Sequence, residues 1–176
     1  MTATRQPRLT PPIVTPPIVT EISPPPDARA LSALTRVDYE DAFTVTGAGR
    51  RTVEQWVNAI LRDAPPRVRR RLVIGWTALG LRLGPPWSPN RVLGWKIEHS
   101  GSDFVLLAAD SWLGLRGRLL FRSEGDGLLF ATLVEQTNPI GRALWAVIAP
   151  RHRRVVTSLL NRAAGASGGR GAPRRR

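Results

Sequence analysis

Residues 93–136 read LGWKIEHSGSDFVLLAADSWLGLRGRLLFRSEGDGLLFATLVEQ, and this stretch decides the fold. Apolar and polar side chains alternate over residues 93–99 and again over residues 115–122, which is typical of strands with one covered face. Residues 103–111 are more continuously apolar, as in a strand covered on both faces. Short segments rich in glycine, serine and aspartate separate these strands, and residues 128–136 pair back after the last of them. We therefore predict a meander of four antiparallel strands.

The chain before the meander predicts one strand followed by two helices. Residues 37–45 carry alternating apolar side chains, as in a half-buried strand. Thr52 stands three residues before Gln55, the spacing of a capping box, and an apolar stripe with helical spacing follows. Pro65-Pro66 ends this helix, and a second apolar stripe with helical spacing extends over residues 68–83.

The segment after the meander, residues 139–164, predicts one long helix. Its apolar side chains recur with a helical period and form one stripe, made of Ile140, Leu144, Val147, Ile148, Val155, Leu159 and Leu160. Pro150 lies inside this segment and is expected to kink or interrupt the helix. One curved antiparallel sheet of about five strands, with the long helix across its concave face, buries all of these stripes at once. The predicted fold class is therefore α+β.

Both ends of the chain have the composition of tails. Half of the sixteen prolines lie in residues 7–26, where the sequence TPPIV occurs twice in tandem. Because each proline removes a backbone donor and fixes φ, neither a helix nor a sheet ladder is expected to run through this segment. We predict a disordered, proline-rich N-terminal arm over residues 1–36 and a disordered basic tail over residues 165–176. The folded domain then spans residues 37–164.

The composition excludes several kinds of site. The chain has no cysteine, so disulfides, thiolate nucleophiles, cysteine-ligated zinc and iron–sulfur clusters are ruled out. With His99 and His152 as the only histidines, we predict no metal site and no cofactor. The formal charge of +13 favours weak, non-specific association with nucleic acid or an anionic membrane. No signal peptide is visible and no apolar run approaches the roughly 20 residues that span a bilayer, so we expect a cytoplasmic protein.

Four phrases of the sequence carry a resemblance to a known family. They are Tyr39-Glu-Asp-Ala-Phe43, Gly94-Trp-Lys-Ile97, the stretch from Ser111 to Leu119, and Asn138-Pro-Ile-Gly-Arg-Ala-Leu-Trp145 continuing to His152. With these phrases in this order, residues 37–164 resemble a bacterial domain family of unknown function in the START/polyketide cyclase (SRPBCC, helix-grip) superfamily. The resemblance implies a hydrophobic cavity between the sheet and the long helix that holds a lipid, a polyketide or a similar molecule. Helix-grip proteins usually have six or seven strands, so five strands imply a smaller or more open cavity.

Tryptophan is the residue type that best fits such a cavity, and the chain has six of them. Tryptophan supplies a large apolar area with one donor, which suits both packed cores and cavity walls. We expect Trp95 and Trp145 to line the cavity, with plain core packing as the alternative for each. The full set of predicted cavity residues is Trp95, Ile97, Leu119, Phe121, Trp145 and Ile148. The predicted function is therefore binding of a small hydrophobic molecule, as a carrier or binding module rather than an enzyme.

A cyclase- or aromatase-like enzyme is the alternative function. Asp110 or Glu135, on neighbouring predicted strands, would supply its general base. The opposing interpretation is that each carboxylate forms an ion pair with an arginine at the end of a strand. His152 is a further catalytic candidate, or else a surface histidine in an arginine-rich segment. A triad of Ser111, His152 and Asp110 is disfavoured because adjacent residues of a strand point to opposite faces.

Arginine clusters predict a third function, the binding of a polyanion. The candidate contacts are Arg69, Arg70, Arg71, Arg151, Arg153 and Arg154. Phosphate contact needs only such cations, whereas binding of single-stranded nucleic acid also favours exposed aromatic side chains among them. The four arginines within residues 67–71 oppose the dipole of the helix that they begin, so an anionic neighbour or solvent exposure must compensate. No specific protein partner follows from the sequence.

Overall fold

All four strands of the predicted meander are present in the computed structural model, which describes residues 16–166. The predictions for residues 1–15 and 167–176 lie outside the described residues. In chain order the elements are β1 (Ile18–Ile22), α1 (Pro26–Leu31), β2 (Tyr39–Thr46), α2 (Val53–Val57) with a π-helical turn (Asn58–Arg62), α3 (Pro66–Ala78), β3 (Arg91–Val92), β4 (Trp95–Ser100), β5 (Phe104–Asp110), β6 (Leu115–Glu124), β7 (Gly127–Gln136) and α4 (Pro139–Gly165). The predicted α+β class is confirmed.

The strands form one open antiparallel sheet in the order β1-β2-β7-β6-β5-β4-β3. After β2 the chain crosses through α2 and α3 to β3, at the far edge of the sheet. The meander then returns strand by strand, so that β7 pairs with β2 along most of its length. The arrangement fits the helix-grip class in outline.

The sheet has seven strands, so the prediction of about five is corrected. One additional strand, β3, is only two residues long, which is too short for an alternating pattern to be recognised. The other, β1, is a proline-free stretch between Pro17 and Pro24 that pairs with β2 at the sheet edge. An edge strand needs backbone bonds on one side only, which is why a proline-rich neighbourhood tolerates it.

The predicted disordered arm over residues 1–36 does not hold for residues 18–31, which form β1 and α1. Helix α1 begins at Pro26, a position where the missing N–H of proline costs no hydrogen bond. The segment lies against the face of the sheet opposite to the other helices, where Ala28 is fully buried with Leu129 and Leu120. Both faces of the central strands are therefore covered, which explains their continuous apolar runs.

The capping box predicted at Thr52 is present and begins α2. The Thr52 hydroxyl accepts from the backbone N–H of Gln55 at 3.2 Å, and the Gln55 side chain accepts from the backbone N–H of Thr52 at 3.0 Å. After the π-helical turn, α3 begins at Pro66 and ends at Ala78, before the predicted end of its apolar stripe. Gly80 follows with φ +69°, a conformation that ends the helix.

Helix α4 packs across the sheet on the same side as α2 and α3 and contributes seven buried residues. The Asn138 side chain accepts from the backbone N–H of Gly141 at 2.8 Å and caps the start of the helix. The helix continues through Pro150, so the predicted interruption does not occur. Because Pro150 and Ala146 are both exposed, water can bond the Ala146 carbonyl that lacks its helical donor. Within residues 16–166, no helix combines the length and apolar character needed to cross a membrane.

Candidate functional site

Two small cavities lie side by side between the sheet and the helices. The first, which we call the helical cavity, is lined mainly by the π-helical turn, α3 and α4: Ile60, Leu61, Leu72, Trp76, Leu119, Phe130, His152, Val155, Val156, Leu159 and Leu160. The second, the tryptophan cavity, is lined by Trp76, Leu79, Leu81, Trp95, Leu115, Gly117, Leu119, Thr132, Val134, Trp145 and His152. Trp76, Leu119 and His152 belong to both linings.

Each cavity has a volume of about 40 Å³. A single water molecule requires roughly 10–15 Å³ on this measure, so each cavity has room for a few waters. Pockets for drug-sized ligands are larger by about an order of magnitude. A ligand bigger than a few water molecules therefore requires the cover of the cavities to move.

A buried polar cluster stands where the two cavities meet. Asp41 and Thr132 are directly opposite each other on β2 and β7, and His152 reaches them from α4. The His152 Nε2 atom lies 3.0 Å from the Thr132 hydroxyl and 3.4 Å from Asp41 Oδ2. Tyr39 donates its hydroxyl proton to the same Asp41 oxygen at 2.6 Å. The Asp41 carboxylate therefore contacts Tyr39 on its own strand and His152 on α4, and the cluster fixes the orientation of the imidazole ring.

The environment shifts the pKa values of two groups in this cluster. Burial alone would raise the pKa of Asp41, but the hydrogen bonds and charge of His152, with the Tyr39 and Thr132 hydrogen bonds, lower it below its ordinary value. The pKa of Tyr39 is raised, first by burial and then by the hydrogen bond to Asp41. Asp41 is therefore an anion at neutral pH, and Tyr39 keeps its proton.

Aromatic rings surround the polar cluster on the cavity side. Trp145 packs edge-on to Tyr39 with ring centroids 5.0 Å apart, and lies 5.3 Å from the His152 ring. Trp76 and Trp95 meet edge-on at 5.5 Å on the other side of the tryptophan cavity. These rings keep water away from the cluster, so its polar interactions are stronger than they would be in solvent.

The predicted cavity residues divide into two groups. Trp95 and Trp145 line the tryptophan cavity, and Leu119 lines both cavities. Ile97 and Phe121 share the same face of the sheet but pack into the core beside the cavities. Ile148 is partly buried and packs against the cluster formed by Leu115, Val134 and Trp145.

Asp110 and Glu135 are not placed to act on a molecule in either cavity. Both lie on the opposite face of the sheet, where Arg116 stands between them in the register of β5, β6 and β7. Asp110 accepts from Arg118 at 2.9 Å, and Glu135 lies 3.7 Å from Arg116. The alternative interpretation, in which each carboxylate pairs with an arginine, is therefore the correct one for Asp110 and Glu135. Ser111 is also engaged, since its hydroxyl donates to the Leu79 carbonyl at 2.6 Å.

Within the described part of the chain, three of the six arginines predicted to contact a polyanion form hydrogen bonds, and the other three do not form ion pairs. Arg153 donates to the Tyr39 hydroxyl at 3.1 Å and lies 3.7 Å from Glu21. Arg69 donates to the Arg62 carbonyl at 3.3 Å, and Arg154 to the Pro150 carbonyl at 3.4 Å. Among residues 16–166, no carboxylate lies within ion-pair distance of the three remaining arginines, which are Arg70, Arg71 and Arg151, and all three are exposed.

Of the four residues in this cluster, the sequence predicts only His152 as a site residue; Asp41, Tyr39 and Thr132 are not predicted as members of a site. The signal for Asp41 was present, because position 41 falls on the apolar face of the predicted strand over residues 37–45. A carboxylate on such a face is costly unless it is paired. No group of three or more His, Asp or Glu side chains in the described part of the chain is placed to hold a metal ion.

Comparison of the chain with protein-family models, with curated proteins and with solved structures finds no match.

Proposed function

We propose that the protein binds a small apolar molecule between the sheet and α4, with the polar end of that molecule at His152. The observation that supports this proposal is the meeting of two cavities at one imidazole that Asp41 and Thr132 hold in place. Apolar walls with a small number of fixed polar groups are typical of ligand sites. The family resemblance of residues 37–164 supports the same function, as a cytoplasmic carrier or binding module.

Helix α3 is the element whose movement would admit such a molecule. Of its thirteen residues only Leu72 is buried, although Leu72 and Trp76 form part of the cavity walls. Pro65 precedes the helix and Gly80, with φ +69°, follows it, so the chain changes direction at both ends. Displacing α3 would withdraw Leu72 and Trp76 from the cavity walls, and the two cavities would then open into one larger space.

Substitution at Leu119 tests the proposal, because this side chain lines both cavities. In Leu119→Phe, the larger ring fills the space where the cavities meet. We expect the affinity for N-phenyl-1-naphthylamine, a neutral fluorescent probe, to fall at least about tenfold. The matched control is Leu120→Phe, the same substitution on the same strand but on the opposite face.

Thermal unfolding of both variants shows whether each one is folded before the probe is added. Equal probe affinity in the two folded variants, or in the Leu119 variant and the natural protein, would contradict the proposal. Native mass spectrometry of protein purified from its host measures the mass of any ligand that remains bound. A discrete added mass that is lost on denaturation identifies the class of molecule.

The geometry does not support Asp110 or Glu135 as the general base of the alternative, enzymatic function. Asp110 and Glu135 lie across the sheet from both cavities, and each is near an arginine. His152 is the catalytic candidate that remains at the cavities, where Asp41 orients it as a carboxylate orients the histidine of a triad. An assay for this alternative therefore targets His152→Gln rather than the two carboxylates.

A second candidate function, attachment to an anionic membrane, is favoured by the outer surface of α3. Arg67, Arg70 and Arg71 are exposed there beside Ile74, which is 56% exposed, and the helix has no acidic residue. Aliphatic side chains among arginines favour a lipid surface, whereas single-stranded nucleic acid favours exposed aromatic side chains.

Vesicle sedimentation tests this second candidate. We expect binding to phosphatidylglycerol vesicles that weakens with added salt, and a several-fold loss in the double variant Arg70→Ser, Arg71→Ser. Arg29→Ser is the control, because Arg29 is ion-paired with Glu40. Binding to single-stranded DNA but not to vesicles would overturn the assignment to membranes.

A further inference from the structure

Several buried polar atoms near the cavities lack a hydrogen-bond partner. Within residues 16–166 seven buried side-chain atoms have none, and three of them belong to the polar cluster or the tryptophan cavity: Asp41 Oδ1, Trp95 Nε1 and Trp145 Nε1. Trp95 and Trp145 are 4% and 6% exposed, so water outside the protein cannot serve their indole N–H groups. Buried polar groups without a partner are rare, and each one calls for a bound water or ligand.

We propose that the tryptophan cavity binds a neutral hydroxyl group on an otherwise apolar molecule. This inference rests on the function proposed above and names the chemical class of the ligand. Two of the atoms without partners are indole donors of Trp95 and Trp145, which line this cavity. The third, Asp41 Oδ1, belongs to the polar cluster whose Thr132 and His152 side chains line the same cavity. A hydroxyl is the smallest group that accepts from an indole N–H and donates a proton of its own at the same time.

The charge of the cluster disfavours other polar groups. Although burial alone would raise the pKa of Asp41, hydrogen bonds from His152, Tyr39 and Thr132 lower it, so Asp41 is anionic at neutral pH. A ligand carboxylate would place a second negative charge beside it in a water-poor space, which is strongly unfavourable. A ligand ammonium group would suit Asp41 but would leave both indole donors without an acceptor, since it has no lone pair to offer.

The shape of the site agrees with this assignment. A volume of about 40 Å³ in the tryptophan cavity admits the hydroxyl end of a ligand. The helical cavity continues beyond Trp76, Leu119 and His152, and its other walls are aliphatic apart from Phe130. The hydroxyl end of the molecule would lie among the tryptophans, and its apolar remainder would extend under α4.

Phenol, toluene and benzoate form a matched set of probes for the test. They share one ring and differ in the group that would enter the tryptophan cavity. We expect phenol to bind at least about tenfold more tightly than toluene, since toluene leaves the buried polar groups unsatisfied. Benzoate should bind more weakly than phenol. The indole N–H resonances, assigned with Trp95→Phe and Trp145→Phe, should shift with phenol as they gain an acceptor.

Thr132→Val removes the hydroxyl that faces the cavity and keeps the shape of the side chain. We expect it to reduce the preference for phenol over toluene, whereas Thr44→Val, on the opposite face of β2, should leave that preference unchanged. The comparison of the three probes on the natural protein stands by itself if a variant fails to fold.

The outcomes separate this inference from the function on which it rests. Stronger binding of phenol, with shifts of the Trp95 and Trp145 indole signals, supports the inference. Equal binding of phenol and toluene, with both indole signals unmoved, overturns it and leaves apolar binding in place. If no probe shifts a cavity resonance up to its solubility limit, the inference and the proposed function fail together.

Discussion

Asp41 is the residue on which the polar cluster depends. Its side chain is 1% exposed, and it lies on the face of β2 that otherwise carries Tyr39, Phe43 and Val45. Because the folded state lowers its pKa, the unfolded chain binds more protons than the folded protein between the two pKa values. Asp41 therefore stabilises the fold above its unfolded pKa, near pH 4, and this contribution is lost as the pH falls through the folded value.

Asp41→Asn should remove that pH-dependent contribution. The amide cannot act as the charged acceptor for His152 and Tyr39, so the free energy of unfolding at neutral pH should fall by about 1.5–3 kcal/mol. Urea unfolding at a series of pH values from about 3 to 7 measures both effects. The difference between the two proteins should shrink as the solution becomes more acidic.

Asp126→Asn is the control for this substitution, since Asp126 is exposed in the turn between β6 and β7. It should change the unfolding free energy by less than about 0.5 kcal/mol. If the stabilities of the natural protein and of the Asp41→Asn variant fall in parallel with pH, then Asp41 does not carry the dependence.

The candidate site could be predicted from sequence only in part, because its members are far apart along the chain. Trp95, Trp145 and His152 are predicted from residue type alone. Their neighbours Asp41 and Thr132 depend on the pairing of β2 with β7, which is a long-range contact that no local pattern encodes. The opposite error arose at Asp110 and Glu135, whose polar character was visible but whose face of the sheet was not.

At the scale of an element, the start of α4 depends on how closely it approaches the turn before β6. Gly141 lies in the first turn of α4, and a Cβ atom there would overlap the carbonyl oxygen of Gly114. In α3, by contrast, a Cβ at Gly75 would meet open space. The two glycines therefore play different parts, although both lie inside helices.

Alanine at each position separates these roles. Gly141→Ala should lower the free energy of unfolding by about 1–3 kcal/mol, because the helix must shift away from the turn. Gly75→Ala should raise it by about 0.5–1 kcal/mol, because alanine restricts the unfolded chain without a clash in the folded one. Chemical unfolding curves measure the change in the free energy of unfolding for each variant. If both substitutions raise it, or both lower it, this account of the α4 contact is refuted.

Most elements could be predicted because their signals are local. The capping box at Thr52, the stop at Pro65 and the alternation over residues 115–122 each predicted an element that is present. Strand β1 escaped prediction because its pairing with β2 outweighs the prolines on either side. The interruption expected as one outcome at Pro150 does not occur, because the helix needs one bond fewer there and solvent can replace that bond.

On the scale of the whole molecule, the sheet is covered on both faces but by very different means. The α4 side has three helices and the π-helical turn, whereas the other side depends on α1 and the segment up to Val37. Ala28 is fully buried in α1, and Ala30, half a turn away, is exposed. The outer core therefore depends on one short helix.

A carboxylate introduced at Ala28 should disrupt this cover. Ala28→Asp places an unpaired charge against Leu120 and Leu129, so we expect a loss of about 3 kcal/mol or more. Ala30→Asp, the same change on the exposed side of α1, should cost less than about 1 kcal/mol. Urea midpoints measure both. Equal losses would mean that α1 does not seal the outer face.

The two edges of the sheet also bear on how the protein behaves at high concentration. A long exposed strand edge offers free N–H and C=O groups to another chain and promotes aggregation. Here β1 covers the eight-residue β2, and its own five residues lie between prolines that cannot extend the ladder. At the far edge, the two-residue β3 pairs with only Trp95 and Lys96 of β4, so within residues 16–166 the rest of β4 has no strand paired to it on that side. The proline-flanked edge at β1 is therefore better protected against pairing with another molecule than the edge at β4.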